Sequence, residues 1–170
     1  MFASPPFRKG SSKRIKCPTR LGLIHNKTFP KLYNIFYLHP YEGKMYAENY
    51  KRLEQLIDKL REFNGVILVE GMRDEVALRK LGVETEIIKL SRFPLAEIAL
   101  TASHYHDIMI LTDFDRKGED LAKKLTQYLE GYKCRVDTNT RRELKKIAKK
   151  DIKGVEDLYG LYLRVKSLRF

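Results

Sequence analysis

Tryptophan is absent from this 170-residue chain, and cysteine and glutamine are nearly so. The two cysteines, Cys17 and Cys134, are far apart and neither sits in a C-x-x-C pair, which excludes a disulfide framework or a zinc knuckle and fits a reducing, cytoplasmic setting. No apolar run approaches the ~18 residues of a membrane-spanning helix. No glycine-rich phosphate loop is present, which counts against a nucleotide-binding regulatory domain. Glutamine is confined to Gln55 and Gln127 in a chain that is 33% charged, a bias seen in heat-adapted proteins. At this length the chain can build one well-buried core, and two substantial domains would be too small.

Acidic residues are also missing where the chain begins. Residues 1–44 carry nine Lys or Arg and a single acid, Glu42, while residues 45–170 carry 25 basic and 21 acidic side chains. The formal charge of +12 therefore belongs mostly to the first segment, and the remainder is mildly basic. Residues 1–44 lack sustained periodicity and are expected to be a basic, disordered extension: a nucleic-acid arm, a targeting leader, or a segment read in frame ahead of a true start at Met45. An intact mass of natively expressed protein that included residues 1–44 would reject the last of these.

From Met45 onward the pattern is regular. Tyr50, Leu53, Leu56, Ile57 and Leu60 recur at helical spacing over residues 46–63, and Asn64-Gly65 turns the chain into an apolar run, Val66 to Val69. Helices are predicted at 74–80, 95–103, 119–130, 141–149 and 155–165, and strands at 66–69, 86–90, 108–112 and 133–136. Strands alternating with helices at this spacing imply an α/β fold, a mainly parallel four-stranded sheet covered on both faces. Residues 45–170 are expected to form a single domain ending in two helices.

Two acidic turns, each directly after a buried strand, carry the chemistry. The first is Val69-Glu70-Gly71-Met72-Arg73-Asp74, and the second is Thr112-Asp113-Phe114-Asp115-Arg116-Lys117-Gly118-Glu119. Carboxylates that emerge together at strand C-termini lie where open α/β sheets place their sites, and they repel one another unless a cation sits among them. Hard oxygen ligands suit Mg²⁺, with Mn²⁺ as a substitute. A strand ending in Glu-Gly, followed by Asp74 and then by Asp-x-Asp after another strand, resembles the Toprim domain of topoisomerases, bacterial-type primases, recombination-repair proteins and small ribonucleases. The resemblance covers about residues 66–137 and implies a Rossmann-like Toprim fold. It implies Glu70 as the catalytic general acid/base and Asp113 and Asp115, with Glu70, as the metal ligands. Asp74 and Glu119 are possible additions to that site.

The chain is too short for the strand-passage gate of a topoisomerase or the accessory domains of a primase, so it looks like a stand-alone small Toprim protein. Ribosomal-RNA-maturing Toprim nucleases carry a late Gly-Val-Glu that is similar to Gly154-Val155-Glu156-Asp157 here. Lys117 stands where type IA topoisomerases usually carry an acid. Phosphodiester cleavage needs the phosphate charge neutralised, a water activated and the leaving oxygen protonated, which a metal and an acid can share. The plainer alternative is that these acids only cap helices.

Two basic elements complete the reading. Arg116 and Lys117 open the helix after the second acidic turn, where a phosphate clamp is expected. Arg141, Arg142, Lys145, Lys146, Lys149 and Lys150 span half of a helix at ~100° per residue, opposite Leu144, Ile147 and Ala148, and are expected to grip nucleic-acid phosphates without reading bases. His104-Tyr105-His106-Asp107 reads as a loop at the far end of its strand, Tyr159 and Tyr162 as packing residues, and Cys134 as core. The leading expectation is a Mg²⁺-dependent nuclease or RNA-processing enzyme, in the orbit of DNA topology and repair, with RNA or DNA as partner. A non-catalytic nucleic-acid-binding scaffold within a larger complex is the alternative, and a homodimer is left open.

Overall fold

Among the described residues the chain has four short strands, two of them apolar runs and the other two mixed, and their neighbours in space follow from how the helices between them cross. The computed structural model describes residues 40–148 and 152–167; residues 1–39, with the extension expected there, and Lys149 and Lys150 lie outside the described residues. In chain order the elements are α1 (Pro40–Arg61), β1 (Val66–Val69), α2 (Met72–Lys80), β2 (Glu86–Lys89), α3 (Leu95–Ala102), β3 (Asp107–Leu111), α4 (Arg116–Leu129), β4 (Arg135–Asp137) and α5 (Asn139–Ala148). A 3-10 turn (Val155–Asp157) and α6 (Leu158–Lys166) follow.

The sheet runs β2-β1-β3-β4, every pair parallel. β1 and β3 are its central strands, and both read as unbroken apolar runs because both of their faces are covered. Ile67, Val69, Met109 and Leu111 pack with Leu53, Ile57 and Leu60 of α1, Leu78 of α2, Leu144 of α5, and Leu158 and Leu161 of α6. Val66, Leu68, Ile108 and Ile110 pack on the other face with Ile98, Ala99 and Ala102 of α3 and Ala122, Leu125 and Leu129 of α4. Each fully buried Leu or Ile contributes about 1.5–3 kcal/mol of transfer free energy, so these two clusters hold the fold.

Because α2 leaves β1 over one face and α4 leaves β3 over the other, the connections diverge between β1 and β3. That gap at the strand C-termini is the switch point where such sheets form their clefts. Glu70 follows β1, and Asp113 and Asp115 follow β3.

Most boundaries shift by one or two residues from the periodicity, and three differ by more. α1 starts at Pro40, ahead of residue 46, because proline suits a first helical turn whereas apolar spacing becomes visible only later. α4 begins at Arg116, set by Asp115 as its N-cap. The predicted helix 155–165 is split into the 3-10 turn and α6. At the end of α2, Gly82 takes φ +91, a left-handed conformation that ends the helix and that residues with a Cβ rarely adopt. Among the described residues no helix is long and apolar enough to cross a membrane.

Candidate functional site

Glu70 leaves the end of β1 and crosses the switch point: its Oε1 accepts the backbone N–H of Asp113 at 3.0 Å. The two acidic turns, forty-three residues apart, are thus joined directly. The β2–α3 loop closes on the same edge, with the Ser91 N–H donating to the Glu70 carbonyl at 3.1 Å.

Beyond β3 the chain must leave the sheet within a few residues. Thr112 is buried and its hydroxyl donates to the Gly118 carbonyl at 2.7 Å, while Phe114 is buried in the core beneath the turn. Phe114 pointing inward leaves its neighbours Asp113 and Asp115 directed away from the core. A Cβ on Gly118 would fall on the Asp113 backbone, so the first turn of α4 can approach the acidic loop only with glycine there. Asp115 caps α4, its Oδ1 accepting the Gly118 N–H at 2.7 Å. The expected helix-terminus contribution to phosphate binding is therefore reduced, since that N–H already has a carboxylate.

A segment from the end of the chain docks onto Asp113. The Val155 N–H donates to Asp113 Oδ1 at 3.2 Å, and the Phe114 N–H donates to the Lys153 carbonyl at 3.0 Å. A Cβ on Gly154 would collide with the Asp113 carboxylate. Glu156 and Asp157 come with this turn and add negative charge; Glu156 pairs with exposed Arg73 at 3.6 Å. The Gly154-Val155-Glu156 segment was legible as a motif, yet no local pattern indicated that it would reach Asp113.

The electrostatics record the crowding. Burial, and then the charges of Asp115, Glu156 and Asp157, push the Asp113 carboxyl up, against the Val155 hydrogen bond that lowers it. Asp74 is 5% exposed and its carboxyl is pushed up to about 6, chiefly by burial and further by Asp113, Glu70 and Glu156. Its Oδ2 accepts the Gly71 N–H at 2.9 Å, so Asp74 closes the start of α2 while adding to the acidic field.

Arg141 requires correction. It is 3% exposed and unavailable to an outer phosphate: α5 turns it inward, beside buried Thr140 and Leu144. Its Nε donates to the Thr112 carbonyl at 3.1 Å, one terminal nitrogen donates to the Asp113 carbonyl, and the other meets Glu119 Oε2 at 2.7 Å. Arg141 braces the acidic loop from behind. Glu119, expected as a possible site residue, is committed to Arg141 and to Lys145 at 3.4 Å, which hold its carboxyl below the usual range. Amphipathic spacing put Arg141 on the charged stripe; three acceptors in reach, invisible in one helix's sequence, put it inside. Arg142 and Lys146 are exposed, and Lys145 is partly exposed.

Elsewhere, Asp107 is tied to Arg135 at 2.7 Å and to His106 at 3.1 Å at the N-terminal end of β3, a structural cluster remote from the acidic edge. Tyr159 and Tyr162 pack against the core under Lys80 and Arg61, and Cys134 packs against the α3–α4 side.

The carboxylates of Glu70 and Asp113 act against that of Asp74, and the carboxylate of Asp115 acts against that of Asp113, so these four oxygen-bearing side chains share one negative field. Glu70, Asp74, Asp113 and Asp115 each have one oxygen in a hydrogen bond to a backbone N–H, which leaves the second oxygen of each outside these bonds. Among the described residues, no three His, Cys, Asp or Glu side chains come together as a group that could hold a metal ion. One or two carboxylates completed by waters suit Mg²⁺ better than Zn²⁺ or Ca²⁺, which take more protein ligands.

A profile of the Toprim domain matches residues 65–153, from just before β1 to the segment that docks on Asp113. A UPF0292 protein of Thermococcus sibiricus is 98% identical over 126 residues, 74% of this chain and 100% of that protein. One from Thermococcus onnurineus is 76% identical over 124 residues, 73% of this chain and 93% of its own length. Among solved structures, a protein from Aquifex aeolicus matches with a TM-score of 0.51 and 30% identity, over 63% of this chain and 94% of that one.

Proposed function

The chain belongs to the Toprim domain family, and on that premise we propose that it is a Mg²⁺-dependent enzyme that cleaves nucleic-acid phosphodiesters, as a nuclease or in RNA processing. The observation that supports this is the Glu70–Asp113 hydrogen bond, which brings the carboxyl after β1 to the Asp113–Asp115 turn at the switch point.

Asp113 and Asp115 would hold the ion, with the Glu70 carboxyl next to it and left for proton exchange. When bound, Mg²⁺ supplies charge neutralisation at the scissile phosphate and polarises its phosphorus–oxygen bonds. Glu70 is oriented by the Asp113 N–H on Oε1, so Oε2 is the atom that exchanges a proton with the attacking or leaving oxygen. The Val155 N–H and the Arg141 guanidinium fix the Asp113 loop, which keeps its carboxylate from turning with each encounter. Arg116 and Lys117, exposed beside Asp115, attract the flanking phosphates, and Arg142 and Lys146 extend the positive surface on α5.

Cleavage of mixed DNA and RNA substrates with Mg²⁺, Mn²⁺ or EDTA, by wild type and by Asp113→Asn/Asp115→Asn, tests the reading. Metal-dependent cleavage confined to the wild type supports it. Metal-independent binding without cleavage supports the second reading, a nucleic-acid-holding scaffold, which is favoured by the capping roles that Asp74 and Asp115 already fill.

A further inference from the structure

We propose that the groove between α3 and α4 receives a single-stranded stretch of nucleic acid, with a base stacked on Phe93 and the adjoining phosphates on Arg116, Lys117 and Lys124. The inference rests on reading the carboxylate edge as a phosphodiester centre and adds the form of strand that it accepts.

The groove has an apolar floor, half-buried Leu95 of α3 and Leu121 of α4, and a rim of exposed Arg116, Lys117 and Lys124. Among the described residues none of these three cations is in an ion pair. Asp120 is the acid facing them from the same helix, and Asp115 closes the end, so the groove runs up to the candidate metal ligands. A chain laid along it would arrive at the carboxylates already neutralised by the rim.

Phe93 supplies the selectivity. It is 54% exposed in the loop between β2 and α3, two residues before Leu95, with exposed Arg92 at its side. The loop is fixed at both ends: the Ser91 N–H bonds the Glu70 carbonyl at 3.1 Å, and Pro94 caps α3. Phe93 is thus exposed on a loop tied to the edge that carries Glu70. Isolated exposed apolar residues are ordinary, but an exposed aromatic two residues ahead of Leu95, at the head of a groove with an apolar floor and a cationic rim, matches the stacking platform and charged track of single-strand binding. A duplex keeps its base faces stacked on each other and could use only the cations.

Fluorescence anisotropy of the full chain in EDTA, with labelled single strands of about 12 nucleotides and the matching duplexes, tests this. Single strands should bind more tightly than duplex. Phe93→Ala should weaken single-strand binding about tenfold and change duplex binding little, Phe93→Tyr should restore it, and Lys124→Glu should weaken both. Duplex binding equal to or tighter than single-strand binding, no binding of either, or a Phe93→Ala change under about twofold overturns the inference. Because no metal is present, absence of Mg²⁺-dependent cleavage in a separate assay would count against the phosphodiester reading while leaving this result intact.

Discussion

The Asp113 backbone N–H donates to Glu70 Oε1 at 3.0 Å, so the acid after β1 and the first acid after β3 are bonded to each other across the centre of the sheet. A glutamine at position 70 retains that acceptor but cannot carry the proton. Glu70→Gln should therefore melt close to wild type and lose about 10²- to 10⁴-fold in metal-dependent cleavage. A variant that cleaves at the wild-type rate would remove Glu70 from the chemistry.

Gly154 is the point where the late segment meets the Asp113 carboxylate. Gly154→Ala would force the turn away from Asp113 at a cost of about 1–3 kcal/mol, with a matching fall in urea midpoint and at least about a tenfold loss of cleavage. An unchanged midpoint and rate would show that the contact is dispensable.

Arg141 is buried among three acceptors. Arg141→Met would leave two carbonyls without their donor and Glu119 with only Lys145, so unfolding in urea should show a loss of about 2–3 kcal/mol, discounted for the partial exposure of Glu119. A loss below about 1 kcal/mol would return Arg141 to the role of an ordinary surface cation.

Asp74 gives the fold a pH dependence of defined sign. Its folded-state value of about 6 lies above the ordinary aspartate value, so the native state holds the proton more tightly than the unfolded chain does. Stability contributed by protonated Asp74 is present below about pH 4 and is lost as pH rises through about 6. Asp74→Asn, measured in EDTA, should be more stable than wild type by up to about 2 kcal/mol at pH 7 and no more stable at pH 4. A difference independent of pH would contradict this.

The sheet is readable because β1 and β3 are buried on both faces, which writes them as Val-Ile-Leu-Val and Ile-Met-Ile-Leu, with an acid directly after the first and one residue beyond the second. That Glu70 follows β1 and that Asp113 and Asp115 follow β3 could be read for the same reason, since each strand's end is evident. Arg141 and Gly154 could not. Arg141 obeys the spacing of a solvent stripe, and only the approach of α5 to the β3 exit turns it inward; Gly154 precedes a helical segment whose pattern carries no sign of the contact, and its role exists only against Asp113. Phe93 carried no periodic signal because it lies in a loop.

Binding of Mn²⁺ as a paramagnetic reporter, read by electron paramagnetic resonance on wild type and on Asp113→Asn/Asp115→Asn, with competition by Mg²⁺, goes straight to whether these carboxylates share a divalent ion. The wild type should bind Mn²⁺ in a form that Mg²⁺ displaces, and the double variant should lose it while remaining folded. Equal binding by both proteins, or none by either, would contradict a metal centre at the switch point.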